Sequence, residues 1–385
     1  MFISEKIKYV GVDDKSIDLF ESQYVVENGV SYNSYLIMDE KVALMDTVDM
    51  RGLEEWSKNV DSTLDGRKID YIIVQHMEPD HSGALAYAIE KYPDAIIVGN
   101  AKTFAYMNQF FDIDITNRKL EVKEGDTLSL GNHELTFYMA PMVHWPEVMV
   151  TYESTEKVLF SADGFGKFGA LDTEEDWACE ARRYYFNIVG KYGAAVQTLL
   201  KKAKTLEIQK ILPLHGPILS ENLGYYIDLY DKWSSYTPEN KGVYIAYASI
   251  HGNTKKVAEI LAEKIRNLGE EKVVLADVAR EDMAECVEDA FRYDRMILCA
   301  ATYDGNAFVP MEDFLHHLQI KTYQNRVVGL LENGTWAPMA AKSMRNYLDS
   351  MKNITVLNEV VTIKSTYKPE DEMQLDQLAQ VIFKA

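Results

Sequence analysis

Cysteine is scarce in this chain, with Cys179, Cys286 and Cys299 far apart in 385 residues. An odd count without a Cys-x-x-Cys pair excludes a disulfide framework and a thiolate metal cluster, leaving three ordinary thiols. Long apolar runs are missing too. No stretch approaches the roughly 18 residues of a membrane span, and the charged start from Met1 to Val10 has no apolar core, so the chain is expected to be cytoplasmic. Lys and Arg number 40 against 60 Asp and Glu, a net charge of −20. That imbalance argues against nucleic acid or an anionic membrane as a partner, since both need a basic face. Histidine is rare as well, at eight residues, and its placement carries the first functional signal.

The run His76, Met77, Glu78, Pro79, Asp80, His81 packs four metal-ligand side chains behind the apolar strand Tyr71 to Val74. Three further apolar runs end the same way. Leu135 to Val143 leads to His144, Val158 to Ala162 to Asp163, and Ile211 to Leu214 to His215. Taken singly, each is an ordinary polar strand end; together they supply seven ligands, the number two metal ions need when a carboxylate bridges them. One ion takes His76, Glu78 and His144, the other Asp80, His81 and His215, and Asp163 is left as the bridge. Four imidazoles and three carboxylates without a thiolate suit non-haem iron or zinc.

A polar, turn-rich segment from Ser234 to Gly242 divides the chain into residues 1–240 and 241–385. Upstream, a hairpin of Ser31 to Met38 and Lys41 to Met45 turns across Asp39 and Glu40. Mixed strands and helices with ligands on their rims predict an αβ/βα sandwich. Downstream, strands at Gly242 to Ala248, Lys272 to Asp277, Arg295 to Ala300, Arg326 to Glu332 and Ile354 to Ile363 alternate with helical patterns. That alternation predicts a five-stranded, doubly wound parallel sheet with a ligand at the carboxyl ends of its strands.

The first of those ends reads Ser249, Ile250, His251, Gly252, Asn253, Thr254 and opens a helix. Hydroxyls, an amide and free N–H groups at a helix start can hold a phosphate dianion without Lys or Arg. Two more strand-end loops, Ala301-Thr302-Tyr303-Asp304-Gly305-Asn306 and Glu332-Asn333-Gly334-Thr335-Trp336, place Tyr303 and Trp336 to stack on a flat ring. One phosphate loop and two aromatic loops suit flavin mononucleotide (FMN); a dinucleotide is disfavoured because Gly-x-Gly-x-x-Gly is missing. His133, beside Gly131 and Asn132, reads as turn chemistry.

These motifs, taken in order over the whole chain, resemble the flavodiiron proteins, in which a metallo-β-lactamase-like domain is fused to a flavodoxin-like domain. Tyr32-Asn33-Ser34-Tyr35 and Arg183-Tyr184-Tyr185 look like the family too, without a chemical role legible in the residues. Hydrolytic relatives of the first domain carry His where this chain has Glu78, and an anionic oxygen donor there stabilises an oxidised metal. The resemblance therefore implies two irons and FMN, and reduction of dioxygen to water, of nitric oxide to nitrous oxide, or of both. It also implies rubredoxin or a separate reductase as electron donor, and a head-to-tail homodimer or dimer of dimers. Against the family pattern, Ala300-Ala301-Thr302 replaces a more usual Ser-Pro-Thr. The rival reading is a dinuclear-metal hydrolase of the metallo-β-lactamase class, which leaves Glu78 and the second domain unused.

Overall fold

The computed structural model describes residues 2–385, and the chain divides into two compact units. The first is Met1–Tyr185 with Ala194–Asp231; the second is Phe186–Gly193 with Lys232–Ala385.

In the first unit two sheets face each other. One has the strand order Ile7–Tyr9, Tyr35–Met38, Val42–Met45, Tyr71–Ile73, Ile96–Gly99, Lys119–Glu121. The other runs Thr127–Ser129, Glu134–Met139, Met149–Glu153, Val158–Phe160, Lys210–Leu212. Ile37, Met45, Ile73 and Val98 from the first sheet share one core with Leu135, Phe137, Phe160 and Leu212 from the second. Burial of such side chains, at about 25 cal/mol per Å² of apolar surface, is what holds two sheets face to face. Helix Leu53–Leu64 buries Trp56, Val60 and Leu64, spaced four apart on one face. Helix Ala101–Phe110 starts where the Asn100 side chain accepts the Lys102 and Thr103 N–H groups. The αβ/βα sandwich read from the sequence is present, and its hairpin pairs Tyr35–Met38 with Val42–Met45.

His133 differs from its reading as turn chemistry. It is buried, with Nδ1 2.9 Å from Asp39 Oδ2 and Nε2 3.3 Å from Glu156 Oε1. Burial works against the charged ring, but hydrogen bonds to Asp39 and Glu156 hold its pKa above the usual 6.5.

The second unit is a parallel sheet ordered Val273–Asp277, Asn240–Ala248, Tyr293–Tyr303, Arg326–Asn333, Ile354–Ile363. The second strand of the domain thus lies outside the first, the order of a flavodoxin-like doubly wound sheet. Helix Asn253–Asn267 buries Val257, Ala258, Leu261, Ala262 and Ile265, an apolar stripe at helical spacing that packs on Ile245 and Ile297. Tyr293–Tyr303 overruns its predicted end at Ala300 because residues 302 and 303 pair back onto Asn306–Ala307 across a turn at Asp304 and Gly305. Among the described residues no helix is long and apolar enough to cross a membrane.

Candidate functional site

All seven candidate ligands converge at one rim of the sandwich, three of them delivered by the second sheet. His76, Glu78, Asp80 and His81 follow strand Tyr71–Ile73; His144, Asp163 and His215 follow Glu134–Met139, Val158–Phe160 and Lys210–Leu212. They fall into two groups, His76, Glu78, His144 and Asp163, and Asp80, His81 and His215.

Around the first group, His76 Nε2 lies 3.2 Å from Glu78 Oε2 and 3.2 Å from Asp163 Oδ2. His144 Nε2 lies 2.9 and 3.3 Å from the same two oxygens. Around the second, His81 Nε2 lies 3.1 Å from Asp163 Oδ1 and 3.3 Å from Asp80 Oδ2. His215 Nε2 is 3.1 Å from Asp80 Oδ2 and 3.8 Å from Asp163 Oδ1. Asp163, fully buried, therefore turns one oxygen to each group.

A metal pair fits this donor set. Donors about 2.1 Å from a common ion and roughly at right angles stand about 3 Å apart, the spacing found here. Both oxygens of Asp80 and of Asp163, both nitrogens of His81 and Nε2 of His215 are buried without a hydrogen-bond partner among the described residues, a state that native proteins avoid unless a ligand satisfies the atoms. The carboxylates also demand positive charge. Burial would depress the pKa of His76, yet Asp163, Glu147 and Glu78 hold it well above its usual value. Asp163, despite burial, is held well below by His76 and His81.

Surrounding residues fix this geometry. Met142 (φ 66°), Ala162 (φ 49°) and Phe165 (φ 67°) adopt left-handed backbone beside His144 and Asp163, strain of the kind that clusters where side chains must be aimed. His215 Nδ1 donates to the Ser31 carbonyl at 2.7 Å. Asn33 Nδ2 donates to the carbonyls of Pro213 and Gly216, each at 2.8 Å, and the Tyr35 hydroxyl donates to Pro213 at 2.7 Å. The segment Tyr32 to Tyr35 thus holds the His215 loop. Tyr184, from the other segment without a legible role, packs its ring 5.5 Å from that of His215, and Phe20 does the same from another side.

Three acidic residues escaped the sequence reading. Glu147 Oε1 accepts His76 Nδ1 and the Met77 N–H, each at 2.8 Å. Asp46 Oδ1 accepts the Gln75 N–H at 2.7 Å, and its Oδ2 the Gln75 amide at 2.9 Å; burial raises its pKa to about 6 despite these bonds. Glu21 reaches Glu78, and loss of water together with the Glu78 charge pushes its pKa up to about 7. Asp46 ends the apolar strand Val42–Met45, the same strand-end pattern that revealed the ligands, and was findable by it.

In the second unit the three predicted loops lie at the carboxyl ends of the sheet. Gly252 (φ 85°) leads into helix Asn253–Asn267, whose first turn has no side-chain cap, so its N–H groups stay open to an anion. A Cβ built on Gly252 meets nothing within 4 Å, leaving room for a phosphate. Ser249 Oγ accepts the Gly252 N–H at 3.1 Å, and the Thr254 side chain is buried beside it. Tyr303, 47% exposed, and Trp336, 90% exposed, are large apolar side chains left open to a ligand. Thr302, Glu332 and Asn333 hydrogen-bond within and between these loops. Thr302 Oγ1 accepts the Met339 and Ala340 N–H groups, Glu332 accepts Ala341 N–H and the Thr362 hydroxyl, and Asn333 both donates to and accepts from the Ser365 backbone.

Residues 30–216 match the ODP family beta lactamase and residues 244–364 the Flavodoxin domain. The rubredoxin oxygen:oxidoreductase of Desulfovibrio gigas superposes with a TM-score of 0.92 at 28% identity, over 100% of this chain and 98% of that one. This chain belongs to the flavodiiron proteins. The anaerobic nitric oxide reductase flavorubredoxin of Salmonella arizonae is 29% identical over 388 residues, 97% of this chain and 80% of that protein. The flavodiiron protein of Giardia intestinalis, at 24% identity and a TM-score of 0.91, shares the fold over 99% of this chain and 95% of its own. The flavodoxin domain that follows the first domain, and relatives that are oxidoreductases, do not favour the hydrolase reading.

Proposed function

We propose that this protein is an FMN-linked diiron oxidoreductase that reduces dioxygen to water, nitric oxide to nitrous oxide, or both. The observation that carries it is Asp163 turning one carboxylate oxygen to each ligand group, with Glu78 in the first, in a chain that also holds a phosphate loop and two aromatic loops. When bound, iron and FMN supply one-electron steps at each metal and one- or two-electron steps at the flavin. Dioxygen takes up four electrons and four protons to give two waters; two nitric oxides take up two electrons and two protons to give nitrous oxide and one water.

The protein's own part is placement. His76, Glu78 and His144 hold one metal position, Asp80, His81 and His215 the other, and Asp163 keeps the two in register. Phe20, Tyr184 and Trp145 wall the imidazoles off from water. Gly252, Ser249, Asn253 and Thr254 hold the FMN phosphate. Tyr303 and Trp336 would stack on the ring, backbone groups of Asp304, Gly305, Asn333 and Gly334 would meet its polar edge, and Ile250, His251, Ala301, Thr302, Asn306, Glu332 and Thr335 complete the set that would hold FMN. Residues 1–240 and 241–385 divide these tasks.

The same proposal includes a rubredoxin or a separate reductase as electron donor, a head-to-tail homodimer or dimer of dimers, and a cytoplasmic location, all resting on the family likeness. The test is anaerobic full reduction followed by stopped-flow mixing with oxygen and, separately, with nitric oxide. Rapid reoxidation of flavin and iron by either gas supports the reading and names the substrate. Slow reaction with both overturns it.

A further inference from the structure

Each ligand group has two imidazoles, one carboxylate of its own, Glu78 or Asp80, and a share of Asp163. Their ligand charges match. What lies behind the imidazoles does not. Glu147 is 1% exposed, and its Oε1 receives both His76 Nδ1 and the Met77 N–H at 2.8 Å, while its Oε2 is buried without a partner. A backbone N–H can only donate, so Oε1 is the acceptor for both. His76 therefore carries a hydrogen on Nδ1, which leaves Nε2, facing Glu78 and Asp163, as the atom that would bind a metal.

In the second group His215 Nδ1 donates to a neutral carbonyl, that of Ser31, and His81 Nδ1 has no partner among the described residues. The other buried carboxylate nearby, Asp46, binds the backbone N–H groups of Gln75 and His76 and the Gln75 amide, and no ring nitrogen. A carboxylate behind a metal-binding imidazole makes that imidazole the stronger donor and favours the more highly charged ion; a carbonyl does so much less.

We propose that Glu147 is a positioning residue that makes the two iron positions inequivalent, biasing the His76 position toward ferric iron. The proposal rests on the diiron reading above. It assigns an order to the pair: the His76 position gives up its electron first.

The test uses the anaerobic, iron-loaded protein and two variants. Glu147→Gln keeps an oxygen that can accept both N–H groups but removes the charge; Glu147→Asp keeps the charge and draws it back. Potentials of the two positions are read by spin resonance during a redox titration, and their environments by Mössbauer spectroscopy. In Glu147→Gln one potential is expected to rise by about 59 mV or more, the equivalent of a tenfold loss of ferric preference for a one-electron couple. The other stays put, and Glu147→Asp recovers part of the shift. Where Glu147→Gln releases iron, competition with a chelator is expected to show one position weakened about 10- to 100-fold and the other retained. Unchanged potentials, or both positions moving together, overturn the proposal while leaving the diiron reading intact. A wild-type protein that binds no second iron removes both.

Discussion

Asp163 Oδ2 stands 3.2 Å from His76 Nε2, while its Oδ1 stands 3.1 Å from His81. Among the described residues Asp80 pairs with His81 and His215 of the second group. The two carboxylates should therefore fail differently. Asp80→Ala is expected to release one metal of the two and Asp163→Ala both, each by more than the roughly 10- to 100-fold loss typical of an outer-sphere partner. Metal-to-protein ratios after desalting check this. Equal retention in the two variants would remove Asp163 from its bridging place.

His133 links Asp39 and Glu156 across the base of the first unit, and its titration gives a pH signature away from the metal ligands. Its pKa in the folded protein lies above 6.5, so its stabilisation is fully present below about 6.5 and declines as pH rises through the folded value. Asp39 acts in the opposite sense. Burial opposes its charge, but hydrogen bonds from Asn132 and His133 hold its pKa below the usual 3.8, so its contribution is present above that value and is lost as pH falls through the lower folded one. His133→Ala should cost about 1.5–3 kcal/mol near pH 6, the range for a charge-assisted hydrogen bond. The deficit should shrink toward about pH 9. Urea denaturation at both pH values measures it, and a deficit that grows with pH would contradict the assignment.

What the sequence made legible was whatever repeats along the chain. Seven candidate ligands were visible because they follow the ends of four apolar runs, and the parallel sheet because five apolar runs alternate with helical ones. Glu147 was hidden because its role is set by His76, 71 residues earlier, and nothing in its own loop repeats a pattern. His133 was misread for the same reason: Asp39 lies 94 residues away, so the neighbouring Gly131 and Asn132 dominated the local reading. The Ala301 loop was legible as a ligand-facing strand end but not as a hairpin, since the pairing of Tyr303 with Asn306 depends on left-handed Asp304 and Gly305.

Gly252 separates a folding cost from a binding cost. At φ 85° a side chain costs about 1 kcal/mol in backbone strain, and nothing crowds the added methyl. Gly252→Ala should therefore fold, keep its iron and lose a small amount of stability, while the methyl occupies the space next to the open helix N–H groups. Flavin fluorescence quenching on titration with FMN should show weaker binding than in the parent. Undiminished FMN affinity would move the phosphate away from this turn.

Trp336 is 90% exposed. Trp336→Ala should leave stability within about 0.5 kcal/mol of the parent, as for surface substitutions generally. If its ring stacks on the flavin, that contact is worth about 0.5–1.5 kcal/mol, and FMN affinity should fall roughly two- to tenfold. Tyr303, on the neighbouring hairpin, gives the comparison: its ring lies 5.8 Å from Phe308, edge-on, so Tyr303→Ala should lose both some stability and some affinity. A variant of Trp336 that binds FMN as tightly as the parent would leave Tyr303 as the only stacking residue and would place Trp336 on a surface used by something other than the flavin.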